Sequence, residues 1–405
     1  SENGQYQIKN IPNGTYTVII SSIGYKTKSR KITFNKNDKT IRNFLLESDN
    51  SLDEIVVSGT LRPVSKSASP VPVDVYGKSF FKKNPTPSIF ESLQNVNGVR
   101  PQLNCNVCNT GDIHINGLEG PYTFVLIDGM PIVSGLSTVY GLTGIPQALI
   151  ERIEIVKGPA STLYGSEAVG GIINIITKKP SNSPTLSVDS FSSSWGEINT
   201  DIGFRYQLSE KIQGLTGINY FNYQNIIDNN DDGFTDLTLQ NRISIFNKLN
   251  FKRKKNKLFT VAFRYLYEDR WGGETNWNKI FRGTDQIYGE SIYTSRWETF
   301  GTYQLPTSEN ISFQFSANGH QQNSFYGIDS YNANQLIAFG QFVINKKVKK
   351  IHNILLGIAY RYTSYDDNTF ATFENDGVTN KPSIIHLPGI FIQDEISFNN
   401  QHKIL

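Results

Sequence analysis

Long apolar runs are missing from this 405-residue sequence; no stretch of 18 consecutive apolar residues occurs, which excludes a membrane-spanning helix. The same absence leaves β-barrel strands open, because a strand crosses a bilayer in about 9–11 residues of alternating polarity. Cysteine is scarce, with 2 residues beside a single Met, so no disulfide framework organises the chain. Neither sign of charge dominates: 39 Lys and Arg face 36 Asp and Glu, a formal net charge of +3 that gives no reason to expect a nucleic-acid partner. A GxSxG nucleophile elbow, a GxxxxGKS or GxxxxGKT phosphate loop and an HExxH pair are all lacking, which removes the usual hydrolase, nucleotide-binding and metalloprotease readings and points away from an enzyme. Paired carboxylates such as Asp366 and Asp367 read as surface charge.

What is present is aromatic and β-rich. Aromatic residues make up 12% of the chain, with 20 Tyr and 25 Phe, a content that suits the aromatic girdles of a barrel at bilayer interfaces. Residues 151–180, ERIEIVKGPASTLYGSEAVGGIINIITKKP, run from one apolar strand (Ile153, Ile155, Val156) through a Gly-rich turn to another (Ile172, Ile173, Ile175, Ile176). Gly158, Gly165, Gly170 and Gly171 permit turns that side chains would block. Residues 113–131, IHINGLEGPYTFVLIDGMP, add a short polar strand, a turn and a LIDGxP strand.

Together, in this order and spacing, the two segments resemble the plug domain of TonB-dependent outer-membrane receptors. Upstream, residues 53–60, DEIVVSGT, resemble the TonB box, and the resemblance assigns Asp53, Glu54, Ile55, Val56 and Val57 to the extended segment gripped by the energising protein. Residues 1–46 resemble a carboxypeptidase-regulatory-like β-sandwich of which only the later strands are present, with Tyr16, Val18 and Ile20 alternating after the Asn13-Gly14 turn. That domain brings no peptidase chemistry, and no zinc-ligand cluster accompanies it.

The expected fold is mainly β: a partial regulatory-like β-sandwich at 1–49, the TonB box and linker at 50–62, an α+β plug at 63–180 and the first part of a transmembrane antiparallel β-barrel at 181–405. Residues 62–76 are rich in Pro and Ser and read as a linker, and 85–99 as a helix with Ile89, Leu93 and Val96 on one face. Beyond Pro180, period-2 segments such as 259–267, 309–318, 336–344 and 353–362 give about ten strands. Their connections alternate between short (209–212, 252–257, 306–309, 346–350, with basic residues clustered in 252–257 and 346–350) and long (226–236, 268–291, 367–383), as a barrel with unequal ends requires; only the loops near Gly196 and Tyr331 are short on the long side. A barrel holding a plug of this size needs a lumen like that of the 22-stranded transporters, so the chain is expected to be truncated at both ends.

Three groups are candidate sites. Cys105 and Cys108, with His114 nearby, fall where the family places a ligand-facing apical loop; a soft-metal or chelate contact, a loop-stiffening disulfide and free thiols all remain open. Asp228, Asn230, Asp232 and Asp236 sit at calcium-loop offsets around Gly233, but no Glu occupies the twelfth position, so a solvated acidic tip stays open beside a calcium site. Trp271, Trp277 and Arg282 lie in the 268–291 segment, where aromatics and Arg suit ligand capture or loop packing. No cofactor is required on this reading.

The resemblance implies TonB-dependent import of a scarce nutrient across the outer membrane of a Gram-negative bacterium. A metal chelate such as a ferric siderophore is the expected cargo, with haem, cobalamin or a copper or zinc chelate as rivals. Implied partners are the TonB-ExbB-ExbD complex, the outer-membrane bilayer, the small ligand and a possible surface lipoprotein. A non-transporting adhesin or signalling receptor is the alternative from another class.

Overall fold

The computed structural model describes residues 6–8, 11–22, 25–35, 42–46, 55–83, 85–105, 110–133, 136, 141–159, 161–349, 351–398 and 403–404. The chain divides into two compact units, residues 1–56 with 63–69, and residues 57–62 with 70–405.

In the first unit, β1 (Gly14–Ser22) pairs antiparallel with β2 (Tyr25–Phe34), placing the alternating Tyr16 and Val18 opposite Ile32 and Arg30. A two-residue ladder follows, in which β3 (Ile55–Val56) pairs antiparallel with β4 (Val64–Ser65).

The second unit contains the plug and the barrel wall. The plug comprises β5 (Asp74–Gly77), α1 (Lys78–Lys83), α2 (Ile89–Ser92), β6 (Val99–Cys105), β7 (Thr110–Ile115), β8 (Thr123–Ile127), β9 (Met130–Val133), β10 (Ile150–Lys157), α3 (Ser161–Tyr164) and β11 (Gly171–Thr177). β6 and β7 form a separate hairpin, and the other strands make one sheet in the order β5-β10-β11-β8-β9, with β11 parallel to β8. The two isoleucine-rich segments expected from sequence are β10 and β11, paired antiparallel with Ile155 opposite Ile173. Gly171 has φ +149°, and a Cβ there would stand 2.3 Å from the Val156 carbonyl oxygen, so the close approach of these strands depends on glycine.

The helix expected over 85–99 is shorter. It starts only at Ile89, because Pro85 and Pro87 hold the preceding chain out of the helical region, and a 3-10 turn at Leu93–Asn95 ends it before Gly98 at φ +74°. Its start is fixed by a capping box: the Ser88 hydroxyl accepts from the Glu91 N–H at 3.3 Å and donates to Glu91 Oε1 at 3.2 Å. Ile89, Leu93 and Val96 are all buried, as the face pattern predicts.

The wall consists of β12 (Leu186–Ser192), β13 (Ile198–Ser209), β14 (Ile212–Tyr223), β15 (Leu239–Phe251), β16 (Phe259–Gly273), β17 (Gly289–Gln304), β18 (Asn310–Tyr326), β19 (Asp329–Val348), β20 (His352–Asp367), β21 (Ser383–Ser397) and β22 (Lys403–Ile404). Each pairs antiparallel with the next in one 11-stranded sheet, against the ten or so expected; the added β22 is two residues long. The strands from β13 to β21 have at least 12 residues each, enough to cross a bilayer at a tilt. The connections at one end are short, 210–211, 252–258, 305–309 and 349–351, and 224–238, 274–288 and 368–382 at the other are long.

Along these strands polarity is inverted relative to a soluble sandwich. On β16, Arg264, Glu268 and Arg270 are buried whereas Phe263, Tyr265 and Tyr267 are exposed; on β15, Arg242 and Ser244 are buried whereas Ile243 and Ile245 are exposed. The buried parity faces the plug, and a core joins the two: Leu93, Val125, Ile155 and Ile173 cluster with Leu215, Phe246, Ala262 and Phe300 of the wall.

Candidate functional site

The chain directly after β3 is anchored in the plug sheet. Glu154, on β10, is completely buried, and a carboxylate in that position is stable only when its oxygens are filled by donors. Its Oε2 accepts from the Val57 N–H at 2.9 Å, the Ser58 N–H at 2.9 Å and the Ser58 hydroxyl at 2.7 Å. Its Oε1 accepts from Arg152 Nε at 3.0 Å and Nη2 at 2.7 Å. Asn174, the cross-strand neighbour of Glu154 on β11, donates to the Ser58 hydroxyl at 2.9 Å and accepts from the Gly129 N–H at 3.0 Å. The Tyr164 hydroxyl of α3 donates to the Ser58 carbonyl at 3.1 Å; burial, and then Glu154, push this phenol far above its ordinary range, so it remains a donor. Four residues later, Arg62 forms a buried ion pair with Glu395 of β21.

The wall meets the plug through polar contacts at buried positions. Arg264 pairs with Glu298, at 2.8 Å from Nε and 2.7 Å from Nη2, and also donates to the carbonyls of Gly141 at 2.7 Å and Thr143 at 3.2 Å. Glu298 accepts from Arg296 as well, at 2.5 Å. Arg242 donates to the Pro87 carbonyl at 2.6 Å and approaches Glu268, which also pairs with Arg270 and Gln240. Lys248 joins Asp128 and the Thr177 hydroxyl, both at 2.8 Å, and Arg361 grips Glu167 bidentately at 2.7 and 2.8 Å. Read as sequence, these charges look like solvent-facing positions of strands. The available signal was their parity, since Arg264, Glu268 and Arg270 alternate with aromatics that a bilayer accepts.

Trp271 and Arg270 belong to β16, not to the long loop, because β16 continues to Gly273 and β17 begins at Gly289. Trp271 shares the outward parity of Phe263, Tyr265 and Tyr267, and its ring lies 4.8 Å from that of Trp277, which is buried. Arg282 reaches the same outward side: it stands 4.4 Å from the Tyr293 ring centroid and 4.5 Å from that of Phe325, and donates to Ser291 at 2.6 Å and Asn323 Oδ1 at 2.5 Å. Lys279 pairs at 2.6 Å with Asp269 beside it. The Arg282 guanidinium is thus engaged by side chains of the wall.

In the acidic loop, the carboxylates serve backbone donors. Asp228 accepts from the N–H groups of Asp232 at 3.2 Å and Gly233 at 2.9 Å, Asp232 from Phe234 at 2.8 Å, and Asp236 from Asn229 at 2.8 Å. The Asn230 side chain donates to Asp232 at 2.9 Å, and among the described residues no group of three or more His, Cys, Asp or Glu side chains converges as for a metal ion.

Two family profiles match: a TonB-dependent Receptor Plug Domain over residues 65–172 and a CarboxypepD_reg-like domain over residues 1–57. Residues 65–172 thus match the plug of TonB-dependent receptors, and the wall that follows has the fold of the barrels in the solved structures below. Among solved structures, it is similar to FpvA of P. aeruginosa bound to a ferric pyoverdine, with 13% identity and a TM-score of 0.64 over 87% of this chain and 53% of that one. A mutant of the ferric enterobactin receptor PfeA from Pseudomonas aeruginosa matches with 18% identity and a TM-score of 0.61 over 83% and 56%. The siderophore receptor PirA from Acinetobacter baumannii matches with 17% identity and a TM-score of 0.59 over 81% and 55%. The chain spans about half the length of the solved structures it matches.

Of the residues expected to form the TonB box, Ile55 and Val56 form β3 and Val57 meets Glu154, while Asp53 and Glu54 lie outside the described residues. Cys108 and the side chain of Cys105 are also outside the described residues. His114, on β7, bonds Asp112 at 2.9 Å, and Asp112 in turn accepts from the Gly120 N–H at 3.2 Å. The structure therefore gives His114 a carboxylate partner within the plug and keeps Trp277 and Arg282 on the outer side of the wall.

Proposed function

We propose that this chain is part of an outer-membrane active importer that takes up a metal chelate, most simply a ferric siderophore, and is powered by the TonB-ExbB-ExbD complex through the segment around Ile55–Val57. The observation that carries this reading is the plug itself, tied to the inner parity of the wall by the Lys248–Asp128 and Arg361–Glu167 ion pairs and by buried Arg242 and Arg264 on plug carbonyls, while the outer parity of that wall is apolar and exposed. A plug so placed closes a lumen, and strand addition at a short extended segment is a known way for a partner chain to grip. The matched structures named as siderophore receptors support the choice of cargo.

The test uses the complete receptor in cells. Removal of residues 53–57 is expected to abolish uptake while leaving ligand binding within about twofold, since the ligand meets the opposite end of the plug. Ferric catecholates, ferric hydroxamates, haem, cobalamin and copper and zinc chelates form the panel. Uptake that persists after the removal overturns the import reading, and the chelate whose uptake is lost identifies the cargo.

A further inference from the structure

We infer that Glu154 is the positioning residue that holds the TonB box in reserve, by gripping Val57 and Ser58 directly behind β3. Its importance for import rests on the reading above, whereas its geometry stands on β10, β11 and α3 alone. One oxygen of this fully buried carboxylate is filled by Arg152, which belongs to the same strand and stays in place whatever the leader does. The other oxygen takes all three of its donors from Val57 and Ser58. Departure of the leader therefore leaves Oε2 without a donor at a position shielded from water, which disfavours partial release.

The same movement removes the acceptor of Asn174 Nδ2 and the acceptor of the Tyr164 hydroxyl. Two neighbouring strands and one helix lose partners together, so the leader is held as a unit and does not fray residue by residue. Glu154 and Asn174 face each other across the central β10-β11 pair of the five-stranded sheet. A pull on the box is consequently delivered to the middle of the plug sheet through Ser58, with no slack chain between.

The experiment measures labelling of Val56→Cys, at the fully buried residue of β3, by a membrane-impermeant maleimide in opened outer-membrane fragments carrying the complete receptor, without ligand and against the parent without that cysteine. Ser58→Ala removes the hydroxyl links to Glu154 and Asn174, and Glu154→Gln removes the charge while keeping the shape. Each is expected to raise the labelling rate about tenfold, as loss of charge-assisted hydrogen bonds implies. Ser58→Thr, which retains the hydroxyl, is expected to restore a rate near the parent's. Ile127→Cys in the middle of the plug sheet serves as control and is expected to stay unlabelled in every background. Unchanged labelling at Val56→Cys in both variants overturns the role of Glu154, as does an equal rise at Ile127→Cys, which would mean that the plug as a whole has loosened. Labelling requires neither cargo nor energy, so failure of the import reading shows separately, as uptake that survives removal of residues 53–57.

Discussion

Glu91 shows how a single plug side chain can couple stability to pH. Burial, and then Glu197, raise its carboxyl from 4.5 to about 7 against the opposing pull of Arg242, Ser88 and Arg270. Between those two values the folded chain keeps a proton that the unfolded chain has released, so the stabilising contribution is complete below about pH 4.5 and is lost as the pH rises through about 7. Glu91→Gln is expected to flatten this part of the profile, seen as a smaller difference in thermal unfolding temperature between pH 5 and pH 8. An unchanged difference would mean that Glu91 does not titrate in this window. The helix that carries Glu91 was legible in the sequence through Ile89, Leu93 and Val96 on one face. The Glu154 anchor was not, because its partners lie almost a hundred residues away along the chain and nothing local marks one glutamate of ERIEIVK as buried.

At the scale of elements, the strands were legible wherever polarity alternates, and β16, β18, β19 and β20 fall on the segments that alternation picks out. Their ends were not, since a strand that rises above a bilayer loses its apolar parity while its ladder continues. This is why Glu268–Gly273 reads as loop and folds as strand, and why Trp271 belongs to the wall. The loop 274–288 is expected to depend on Arg282 for its attachment to β17 and β18. Arg282→Ala should raise the rate of proteolytic cleavage within 274–288 about tenfold, in line with loss of three hydrogen bonds and two cation–π contacts, with ligand affinity little changed. A large loss of affinity with no gain in cleavage would instead return Arg282 to the ligand-facing residues.

For the molecule as a whole, inverted polarity of the wall and the shared core with the plug decide the physical setting. Nitroxide labels placed at Ile245 or Phe263 are expected to collide freely with oxygen dissolved in the lipid, and labels at Ser244 or Asn318 to be shielded from it, because the first pair is exposed and the second buried on opposite parities. Equal accessibility of both pairs would argue for a soluble sandwich. The general architecture was readable from composition, the two plug segments and the alternating loop lengths. The polar contacts between plug and wall were not readable, since they join residues such as Glu167 and Arg361 that only the closed arrangement brings together.

The two-residue ladder of β3 and β4 has a consequence for any chain that would pair with Ile55 and Val56. Ile55 and Val56 already use one edge of their strand on Val64 and Ser65, and among the described residues the opposite edge carries no ladder. A ladder this short has little stability of its own. A newcomer has two routes: it extends the sheet from the vacant edge and keeps the hairpin as a backing, or it displaces Val64 and Ser65 and takes their register. The first route leaves the loop from Val57 to Arg62 closed, so the newcomer draws on a doubled thread, and the second opens that loop into a single one.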